Sequence, residues 1–317
     1  MNPFSHRKAE TVASLGEERL ISSIRRWLGD VSPPAPLGIG DDCAILPPSK
    51  KAQAITVDPV IYLRHFDDLI PPRAVGAKLL KRNLSDLAAM GARPRAAVVA
   101  LTLDSHTRLD WLEKFYRGLA GCARMYGVSI VGGDIAQADK VLAASLTLIG
   151  EASGPRMLTR AGARTGDWIY VTGPLGGSLL GKHHRFTPRL AEGAWLAARS
   201  EVRAMMDLSD GLAKDLHALT PRSAEPALDP KLVPVSSAAR QLARQSKRTP
   251  LAHALGDGED FELLFAVRKN ADRASLEKNW FRRFRQPLHC IGQFVPLGKR
   301  PTSSIDLNAH RGYEHLR

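Results

Sequence analysis

The 317-residue sequence has few cysteines and no long apolar segment. Its three cysteines, Cys43, Cys122 and Cys290, are far apart and form no C-x-x-C pair. This spacing excludes a disulfide scaffold or a zinc knuckle and suits a reducing compartment. No apolar run approaches the roughly 18 to 20 residues that cross a bilayer, and no apolar stretch follows the basic residues at the N-terminus. The sequence therefore predicts a soluble, cytoplasmic protein with no membrane partner.

Several catalytic signatures are also absent. There is no G-x-x-x-x-G-K-[ST] phosphate loop, no H-R-D followed by D-F-G, and no serine in a G-x-S-x-G setting. These absences exclude a P-loop enzyme, a protein kinase and a hydrolase with a nucleophile elbow. If the chain binds a nucleotide, metal ions, backbone amides near Gly132-Gly133 and a few arginines must hold its phosphates.

Acidic residues are fewer than basic ones, which leaves a net charge of +13 and a pI near 10.0. The lysines and arginines are dispersed, and no zinc-finger, homeodomain or RNA-recognition signature accompanies them. Charge alone describes association rather than chemistry, so it favours capture of phosphorylated small molecules or solubility. We expect no specific nucleic-acid partner.

Strand-like and helix-like segments alternate along the first half of the chain. A capping box, Ser14 to Glu17, predicts the start of the first helix. Further helices are predicted over 74–90 and 107–126, and strands over 54–57, 96–103, 128–131 and 141–149.

A polar stretch with glycine and proline, Glu151 to Arg156, marks a domain boundary, after which the pattern restarts. Strands are predicted over 167–172, before Asp207 and over 261–267. Thr187-Pro188 predicts a helix start, and 221–250 shows no clear periodicity. The sequence thus predicts an α/β (α+β) protein with two domains, residues 1–152 and 153–317.

Six aspartates lie at or near the ends of apolar segments, mostly beside Gly, Ser or Thr. They are Asp42, Asp58, Asp86, Asp134, Asp207 and Asp210. Taken singly, each is more typical of a turn former or a helix cap, Asp210 above all. Taken together, carboxylates at strand ends converge on the crevice where α/β sheets bind ligands. Because clustered carboxylates repel one another unless cations compensate, the set favours a multi-Mg²⁺ nucleotide site.

Seven ordered segments carry a resemblance to a known family. The most distinctive is Asn83-Leu84-Ser85-Asp86-Leu87-Ala88-Ala89-Met90-Gly91-Ala92. The others are Gly38–Ala44, Val131–Asp134, Leu158–Ala163, Gly166–Gly173, Asp207–Leu212 and Gly258–Leu263, and Gly312–His315 resembles the closing segment. In this order they resemble the thiamine-monophosphate kinases, which belong to the aminoimidazole ribonucleotide synthetase-like group.

The resemblance implies a fold, an assembly and a set of site residues. It implies an N-terminal ATP- and Mg²⁺-binding domain whose sheet pairs across a homodimer, followed by a C-terminal α/β domain. The implied Mg²⁺ ligands are Asp42, Thr56, Val57, Asp58, Asp86, Asp134, Asp207 and Asp210. The implied ATP contacts are Tyr116, Gly133, Arg160 and Ser209. The implied thiamine monophosphate contacts are His65, Glu259 and His310, although singly Glu259 also fits a turn carboxylate and His65 a surface histidine.

The implied reaction is ATP-dependent phosphorylation of thiamine monophosphate to thiamine diphosphate by direct in-line transfer. No catalytic base is expected, because the substrate phosphate is already ionised at neutral pH. The chain departs from the family pattern at three places. Val57 and Pro59 flank Asp58 where the family has threonines, Ile135-Ala136-Gln137 follows the Gly-Gly-Asp motif, and His310 replaces an aromatic residue.

Three other functions remain open at this stage. Another enzyme of the same group would act on a different phosphorylated or heterocyclic substrate. A non-catalytic nucleotide- or thiamine-phosphate-binding protein would fit the changes at Val57 and Ile135, although a binding module has little use for six repelling carboxylates. A nucleic-acid binder has only the net charge in its favour.

Overall fold

A computed structural model gives the structure of the chain and describes residues 1–40, 42–310 and 312–313. The chain forms two compact units. The first comprises Met1–Leu87 and Arg93–Ala152, and the second comprises Ala88–Ala92 and Ser153–Arg317. Three residues of the predicted motifs, Asp41, Glu314 and His315, lie outside the described residues.

The first unit is built on a four-stranded sheet with the order β1-β4-β2-β3. Strand β1 is antiparallel to β4, and β2 is parallel to β3. Its elements are α1 (Glu17–Leu28), β1 (Gln53–Ile61), α2 (Pro72–Met90), β2 (Ala92–Leu103), α3 (Leu109–Tyr126), β3 (Ser129–Gln137) and β4 (Leu142–Ala152).

Helices α2 and α3 pack closely because each has a glycine at the contact. A Cβ on Gly76 would lie 2.0 Å from the Phe115 carbonyl oxygen, and one on Gly118 would lie 2.0 Å from the Arg73 carbonyl oxygen. Strand β4 alternates, with every second side chain buried from Leu142 to Leu148. One face of the sheet is therefore in the core, while its other face carries exposed apolar side chains.

The second unit is built on a five-stranded sheet with the order β6-β8-β5-β9-β7, and its strand pairs are antiparallel. Its elements are β5 (Trp168–Val171), α4 (Lys182–Arg185), α5 (Leu190–Ala197), β6 (Val202–Asp207), α6 (Leu212–Leu219), β7 (Ala224–Leu228), α7 (Ser237–Ala243), α8 (Pro250–Gly256), β8 (Leu263–Val267), α9 (Arg273–Phe284) and β9 (His289–Pro296).

Both faces of this second sheet are buried. One apolar cluster joins alternate strand residues, such as Leu264 and Ala266, to helices α6 and α8. A second cluster joins the intervening residues, such as Phe265, to Trp280 of α9 and to α5. Helices thus cover the sheet on both sides, and every residue of β8 is buried.

Two predicted helix starts are wrong. Ser14 lies in a 3₁₀ turn, where its hydroxyl donates to the Thr11 carbonyl oxygen (2.7 Å), and α1 begins at Glu17 after Gly16, whose φ is 71°. Gly16 adopts this left-handed conformation without a steric penalty, and no side chain caps the first turn of α1. The helix predicted from Thr187-Pro188 begins only at Leu190, after Arg189, whose backbone is not helical (φ −81°, ψ 42°) and whose side chain donates two hydrogen bonds to Glu262.

The region 221–250, which has no clear periodicity, contains β7 and α7. Strand β7 lies at the edge of its sheet and includes Pro226. Proline has no N–H to donate to a neighbouring strand, and an edge strand tolerates this because one of its sides is unpaired. Within residues 1–40, 42–310 and 312–313, no helix has both the length and the apolar character of a membrane span.

Candidate active-site residues in the two units

A cavity of about 500 Å³ in the first unit brings four predicted residues together. Asp42, Tyr116, Gly133 and Asp134 all line it. The remaining lining residues are Glu17, Ile21, Ile24, Leu28, Ile39, Gly40, Val99, Ile130, Gly132 and Ile135. The wall of the cavity thus combines three carboxylates, Glu17, Asp42 and Asp134, with apolar side chains from several elements.

Strand β3 supplies the polar part of this wall. The strand was predicted to end at Val131, but it continues through Gly132-Gly133-Asp134 to Gln137, so Asp134 lies inside a strand rather than after one. A Cβ on Gly133 would meet the Val99 carbonyl oxygen at 2.2 Å. Glycine is therefore required where β3 passes β2, and the exposed Gly133 and Asp134 face open space.

The apolar wall was not identified from the sequence. Ile21, Ile24 and Leu28 follow one another at helical spacing in α1, a pattern also typical of ordinary core packing. Tyr116 of α3 is 3% exposed, and burial raises the pKa of its hydroxyl. Its ring packs edge-on against Phe115. Only the tertiary structure shows that α1 borders an open space here.

A second group of predicted residues lies between β1 and α2 of the same unit. The Thr56 hydroxyl donates to the Asp86 carboxylate, and Arg82 Nη2 donates to Asp58 Oδ1 at 3.1 Å. Arg82 and Asp86 are four residues apart and therefore share a helix face. Asp58 was predicted to follow a strand but lies within β1, whereas Asp86 lies within α2, in agreement with the helix predicted over 74–90. Asp58 lies on the face of β1 that is turned towards α2, where its pairing with Arg82 and the edge position of β1 compensate for partial burial of the carboxylate.

Val57 and His65 occupy different places around β1. Side chains alternate along a strand, so Val57 points away from Thr56 and Asp58, and it is 61% exposed. On the face of β1 that carries Thr56 and Asp58, Val57 can therefore offer a ligand only its backbone. The half-buried His65 follows the strand, and its Nδ1 accepts from the Ile61 N–H at 3.1 Å. Lys78 Nζ donates to the His65 carbonyl oxygen at 2.9 Å, which holds this turn in place.

In the second unit, Asp207, Ser209 and Asp210 follow one another at the end of β6. Asp207 is the last strand residue and is buried. One oxygen of Asp215, Oδ2, accepts the N–H groups of Ser209 (3.0 Å), Asp210 (3.0 Å) and Gly211 (3.2 Å). Burial raises the pKa of Asp215 to about 7, and the negative charges of Asp207 and Asp210 also raise it. The hydrogen bonds from the backbone N–H groups lower it, but by less. Asp215 was not identified from the sequence.

Asp210 is not the cap of α6, as its position before Gly211 had favoured. Helix α6 has Gly211 at its N-cap, without a side-chain hydrogen bond. The Asp210 carboxylate instead accepts from Lys214 Nζ at 2.6 Å, and Lys214 also donates to the Tyr313 carbonyl oxygen at 2.7 Å. The Tyr313 N–H donates to the Asp210 carbonyl oxygen at 2.9 Å. The closing segment thus packs on the Asp210 loop.

Glu259 lies beside the same loop. Its N–H donates to the Ser209 carbonyl oxygen at 2.7 Å, and its φ is 50°. Gly258, at φ 73°, makes this turn possible, since a Cβ there would lie 2.9 Å from the Ser209 carbonyl oxygen. Half-buried His310 follows a 3₁₀ turn, and its N–H donates to the Leu307 carbonyl oxygen at 3.0 Å. Arg160 is exposed on another 3₁₀ turn of this unit.

A buried ionic group in the second unit was also missed. Glu262 accepts from Arg189 through two nitrogens and from Lys182, each at 2.9 Å. Burial opposes ionisation of Glu262, but Lys182 and Arg189 outweigh it and hold its pKa below the usual range. Burial raises the pKa of neighbouring Asp260 to about 7. Asp260 and Glu262 both belong to the Gly258–Leu263 motif. Their partners Lys182 and Arg189 lie more than 70 residues earlier, so the motif spacing could not predict these contacts.

The donor set in both units consists of carboxylate, hydroxyl and carbonyl oxygens, the ligands that Mg²⁺ takes in proteins. Among the residues that the structure describes, no three acidic, histidine or cysteine side chains converge closely enough to hold a metal by themselves. Such a set fits an ion that takes one or two carboxylates and completes its shell with substrate phosphates and water. It does not fit a closed, all-protein metal cage.

The chain is similar in sequence and in structure to known proteins. The family model for AIR synthase related protein, N-terminal domain, matches residues 40–152. A thiamine-monophosphate kinase of Rhodopirellula baltica is 40% identical over 245 residues, covering 74% of this chain and 77% of that protein. The crystal structure of thiamine-monophosphate kinase from Stenotrophomonas maltophilia K279a is 32% identical, with a TM-score of 0.73, covering 89% of this chain and 95% of the other.

A structure of AaThiL complexed with AMPPCP and TMP is also similar. It is 28% identical, has a TM-score of 0.71 and covers 99% of this chain and all of its own. These similarities extend across both units and confirm the resemblance carried by the motifs. The chain has the AIR synthase-like fold and belongs to the thiamine-monophosphate kinase family.

Proposed function

We propose that this protein transfers the γ-phosphoryl group of ATP to thiamine monophosphate, giving thiamine diphosphate and ADP. The observation that carries the proposal is the cavity of the first unit, where Asp42, Tyr116, Gly133 and Asp134 meet. These are positions at which the family motifs imply metal and nucleotide contacts. Membership of the family over most of the chain length supports the same reaction.

The cavity suits a nucleotide in size and in lining. Its volume of about 500 Å³ lies within the range of roughly 300 to 1,000 Å³ that small-molecule sites occupy. The apolar wall from α1, with Ile21 and Ile24, provides a surface for a base. Gly133 brings exposed backbone to the cavity, because the Val99 carbonyl oxygen, 2.2 Å from a Cβ there, excludes a side chain. Apolar side chains for a base and exposed backbone for phosphates support ATP as the co-substrate.

The chemistry requires positioning and charge neutralisation rather than proton transfer. A phosphate ester has its second pKa near 6, so the acceptor phosphate is largely ionised at neutral pH and attacks without a base. The chain must therefore bring two anions into line and counter the charge on the transferred group. Arg160 of the second unit is the proposed guanidinium for that purpose.

We assign the Mg²⁺ ligands to both units. In the first unit they are Asp42, Thr56, the Val57 carbonyl, Asp58, Asp86 and Asp134, and in the second unit they are Asp207 and Asp210. When bound, Mg²⁺ neutralises the nucleotide phosphates and orients them. Arg82 and Lys214 now pair with Asp58 and Asp210, so both carboxylates are held in place before a metal arrives.

The organic part of the substrate needs an anion and a flat surface. Glu259, held beside the Asp210 loop, is the proposed partner of the cationic thiazolium, and His65 and His310 are the proposed further contacts. The Ser209 N–H is already bonded to Asp215. The Ser209 hydroxyl is therefore the group that we assign to ATP.

We further propose that two copies of the chain pair through the open face of the first sheet. Ile55, Val57 and Val98 are exposed there, at 71%, 61% and 40%. The neighbouring residues of β4 on this face, Ala143, Ser145, Thr147 and Ile149, carry no charge. An uncharged, largely apolar sheet face is the kind of surface that a second copy covers.

The cysteines support a reducing location. Cys43 is exposed, Cys122 is buried, Cys290 is half-buried, and all three are free. Free thiols of this kind persist where glutathione and thioredoxin keep them reduced. Together with the use of ATP, they support a cytoplasmic enzyme.

A substrate panel tests the function. Purified protein is incubated with ATP and Mg²⁺ and with thiamine monophosphate, free thiamine or an aminoimidazole ribonucleotide precursor, and products are separated by chromatography. Only thiamine monophosphate is expected to be phosphorylated. Turnover of a different acceptor would favour another enzyme of the same group, and ATP binding without turnover would favour a binding protein.

Asp134→Asn ties that activity to the cavity. It removes a carboxylate that lines the cavity, whereas Asp139→Asn removes an exposed one five residues later. We expect Asp134→Asn to lower kcat/KM by at least about 100-fold, since loss of a metal-bridged contact costs several kcal/mol. Asp139→Asn should keep wild-type activity. Equal activities of the two variants would contradict the site assignment.

A further inference from the structure

Asp215 makes an unusual set of hydrogen bonds within the second unit. It lies in the first turn of α6 and is 6% exposed. Three successive N–H groups, those of Ser209, Asp210 and Gly211, donate to its Oδ2 at 3.0, 3.0 and 3.2 Å. One carboxylate oxygen therefore determines the direction of three consecutive peptide groups.

Consecutive N–H groups that converge on one point form an anion-binding concavity. In many phosphate sites such a concavity receives the ligand. Here it receives the Asp215 carboxyl group of the chain itself. The loop that connects β6 to α6 is thereby held in one conformation from within.

Asp210 is the middle residue of this loop. Its carbonyl oxygen accepts the Tyr313 N–H at 2.9 Å, and its carboxylate accepts from Lys214 at 2.6 Å. The Ser209 carbonyl oxygen accepts the Glu259 N–H at 2.7 Å. The peptide groups around Asp210 are thus bonded on both sides, with their N–H groups directed inward to Asp215 and their carbonyls directed to neighbouring segments.

We propose that Asp215 is a positioning residue for phosphoryl transfer. It acts through the Ser209–Gly211 loop, which it holds so that Asp210 presents its carboxylate to Mg²⁺. The inference rests on the proposed function, because it takes Asp210 as a metal ligand. Asp215 is buried behind the loop and needs no contact with ATP or thiamine monophosphate for this role.

A residue that only stabilises the fold needs to be distinguished from one that positions Asp210. Asp167 is the matched control, because it is also a buried carboxylate of the second unit that accepts backbone N–H groups. Its donors are Arg164 (2.9 Å) and Lys269 (3.3 Å), which belong to other loops. Asp167→Asn should therefore affect stability without affecting the Asp210 loop.

Hydrogen exchange of the three amides tests the structural part without metal or nucleotide. Asp215→Ala removes the acceptor, so exchange at Ser209, Asp210 and Gly211 should accelerate at least about tenfold. Asp215→Asn keeps one carbonyl oxygen in place and should restore most of the protection. Asp167→Asn should leave these three amides at wild-type rates.

Metal binding tests the functional part. Free Mn²⁺ measured by electron paramagnetic resonance in the presence of ATP gives the metal affinity, and the Mg²⁺ dependence of thiamine diphosphate formation gives a second value. We expect Asp215→Ala to raise the half-saturating metal concentration at least about fivefold, with Asp215→Asn between it and wild type. Asp167→Asn should stay within about twofold of wild type.

Unchanged metal dependence in folded Asp215→Ala, or equal shifts in Asp215→Ala and Asp167→Asn, would overturn the proposal. If Asp215→Ala does not fold, the intermediate shift expected of Asp215→Asn decides instead, and its absence would overturn the proposal. A wild-type protein that binds Mn²⁺ with ATP but does not phosphorylate thiamine monophosphate would contradict the proposed function. In that case the exchange and Mn²⁺ measurements still decide the role of Asp215.

Discussion

The two sheets of the molecule differ in how many of their faces are buried. The first sheet buries one face against helices and leaves Ile55 and Val57 exposed on the other. The second sheet lies between two apolar clusters, and its strand β8 is buried throughout. Strands of the first sheet therefore alternate between apolar and other residues, whereas those of the second are nearly continuous apolar runs.

The predicted site carboxylates stand at different positions in the two sheets. In the second sheet Asp207 stands at the last position of β6, after the buried run Ala204 to Met206. Charged residues inside strands of this sheet, Arg203 and Glu225, lie in the edge strands β6 and β7. In the first sheet, Asp58 and Asp134 stand inside the edge strands β1 and β3, where Asp58 pairs with Arg82 and Asp134 lines a cavity. The predicted position of these carboxylates, after a strand, thus fails for Asp58 and Asp134 of the first sheet.

The largest expected effect is on stability. Phe265 of β8 is fully buried and stacks on Tyr170 with ring centroids 5.5 Å apart. Phe265→Ala should lower the free energy of unfolding by about 3 to 5 kcal/mol, as large-to-small core substitutions do. Ile55→Ala, measured by denaturation of dilute protein, should cost under about 0.5 kcal/mol. Similar costs for the two variants would show that the faces do not differ in burial.

The next effect concerns activity and the half-open sheet. Asp86→Asn should lower kcat/KM by about 100-fold or more, because a lost metal contact in phosphoryl transfer costs several kcal/mol. The asparagine can still accept from Thr56, so the melting temperature should change little. Asp110→Asn serves as the control, since Asp110 pairs with Arg108 and Lys114 at the start of α3. A variant Asp86→Asn with near-normal turnover at saturating Mg²⁺ would remove Asp86 from the site.

A third prediction sharpens the difference between the open and the closed face. Val57→Asp introduces a charge into the exposed apolar face and should raise the dimer dissociation constant at least about tenfold, which corresponds to 1.4 kcal/mol. Leu69→Asp is the matched control, because Leu69 is equally apolar and 88% exposed but lies outside the sheet. Sedimentation velocity over a range of protein concentrations measures the dissociation constants of both variants and of the wild type. A monomeric wild type, or unchanged association of Val57→Asp, would contradict pairing through this face.

The fourth effect is a pH dependence in the closed unit. Burial raises the pKa of Asp260 to about 7, above the usual range of an aspartate, and the Gly176 N–H only partly offsets it. The folded state therefore binds the proton more tightly than the unfolded state, so stability is lost as the pH rises from about 4 to 7. Asp260→Asn should reduce this loss by on the order of 2 kcal/mol between pH 5 and 8.

Denaturation curves of wild type and Asp260→Asn at several pH values measure this difference. Asp229→Asn, at an exposed position of the same unit, is the control and should follow the wild-type profile. Parallel profiles for wild type and Asp260→Asn would show that Asp260 ionises normally in the folded protein.

The strongly patterned elements were predictable from sequence. Helices α2 and α3 and strand β2 lie within a few residues of their predicted bounds, because long apolar stretches or a clear 3.6-residue period marked them. Strand β7 and helix α7 were missed, since a short edge strand with Pro226 and a seven-residue helix carry little periodic signal. The ends of β1 and β3 were misplaced because Asp58 and Gly132-Gly133 resemble strand terminators.

By itself, the sequence determined the family, the mixed fold in two parts and the set of acidic residues, since these depend on residue types in a fixed order. Only the tertiary structure decided which groups those residues contact. It placed α1 on the wall of a cavity, directed Val57 away from Thr56 and Asp58, and joined Asp215 to three amides. The physical reason is that a side chain's partners depend on which face of an element is covered. That covering depends on residues far away in the chain.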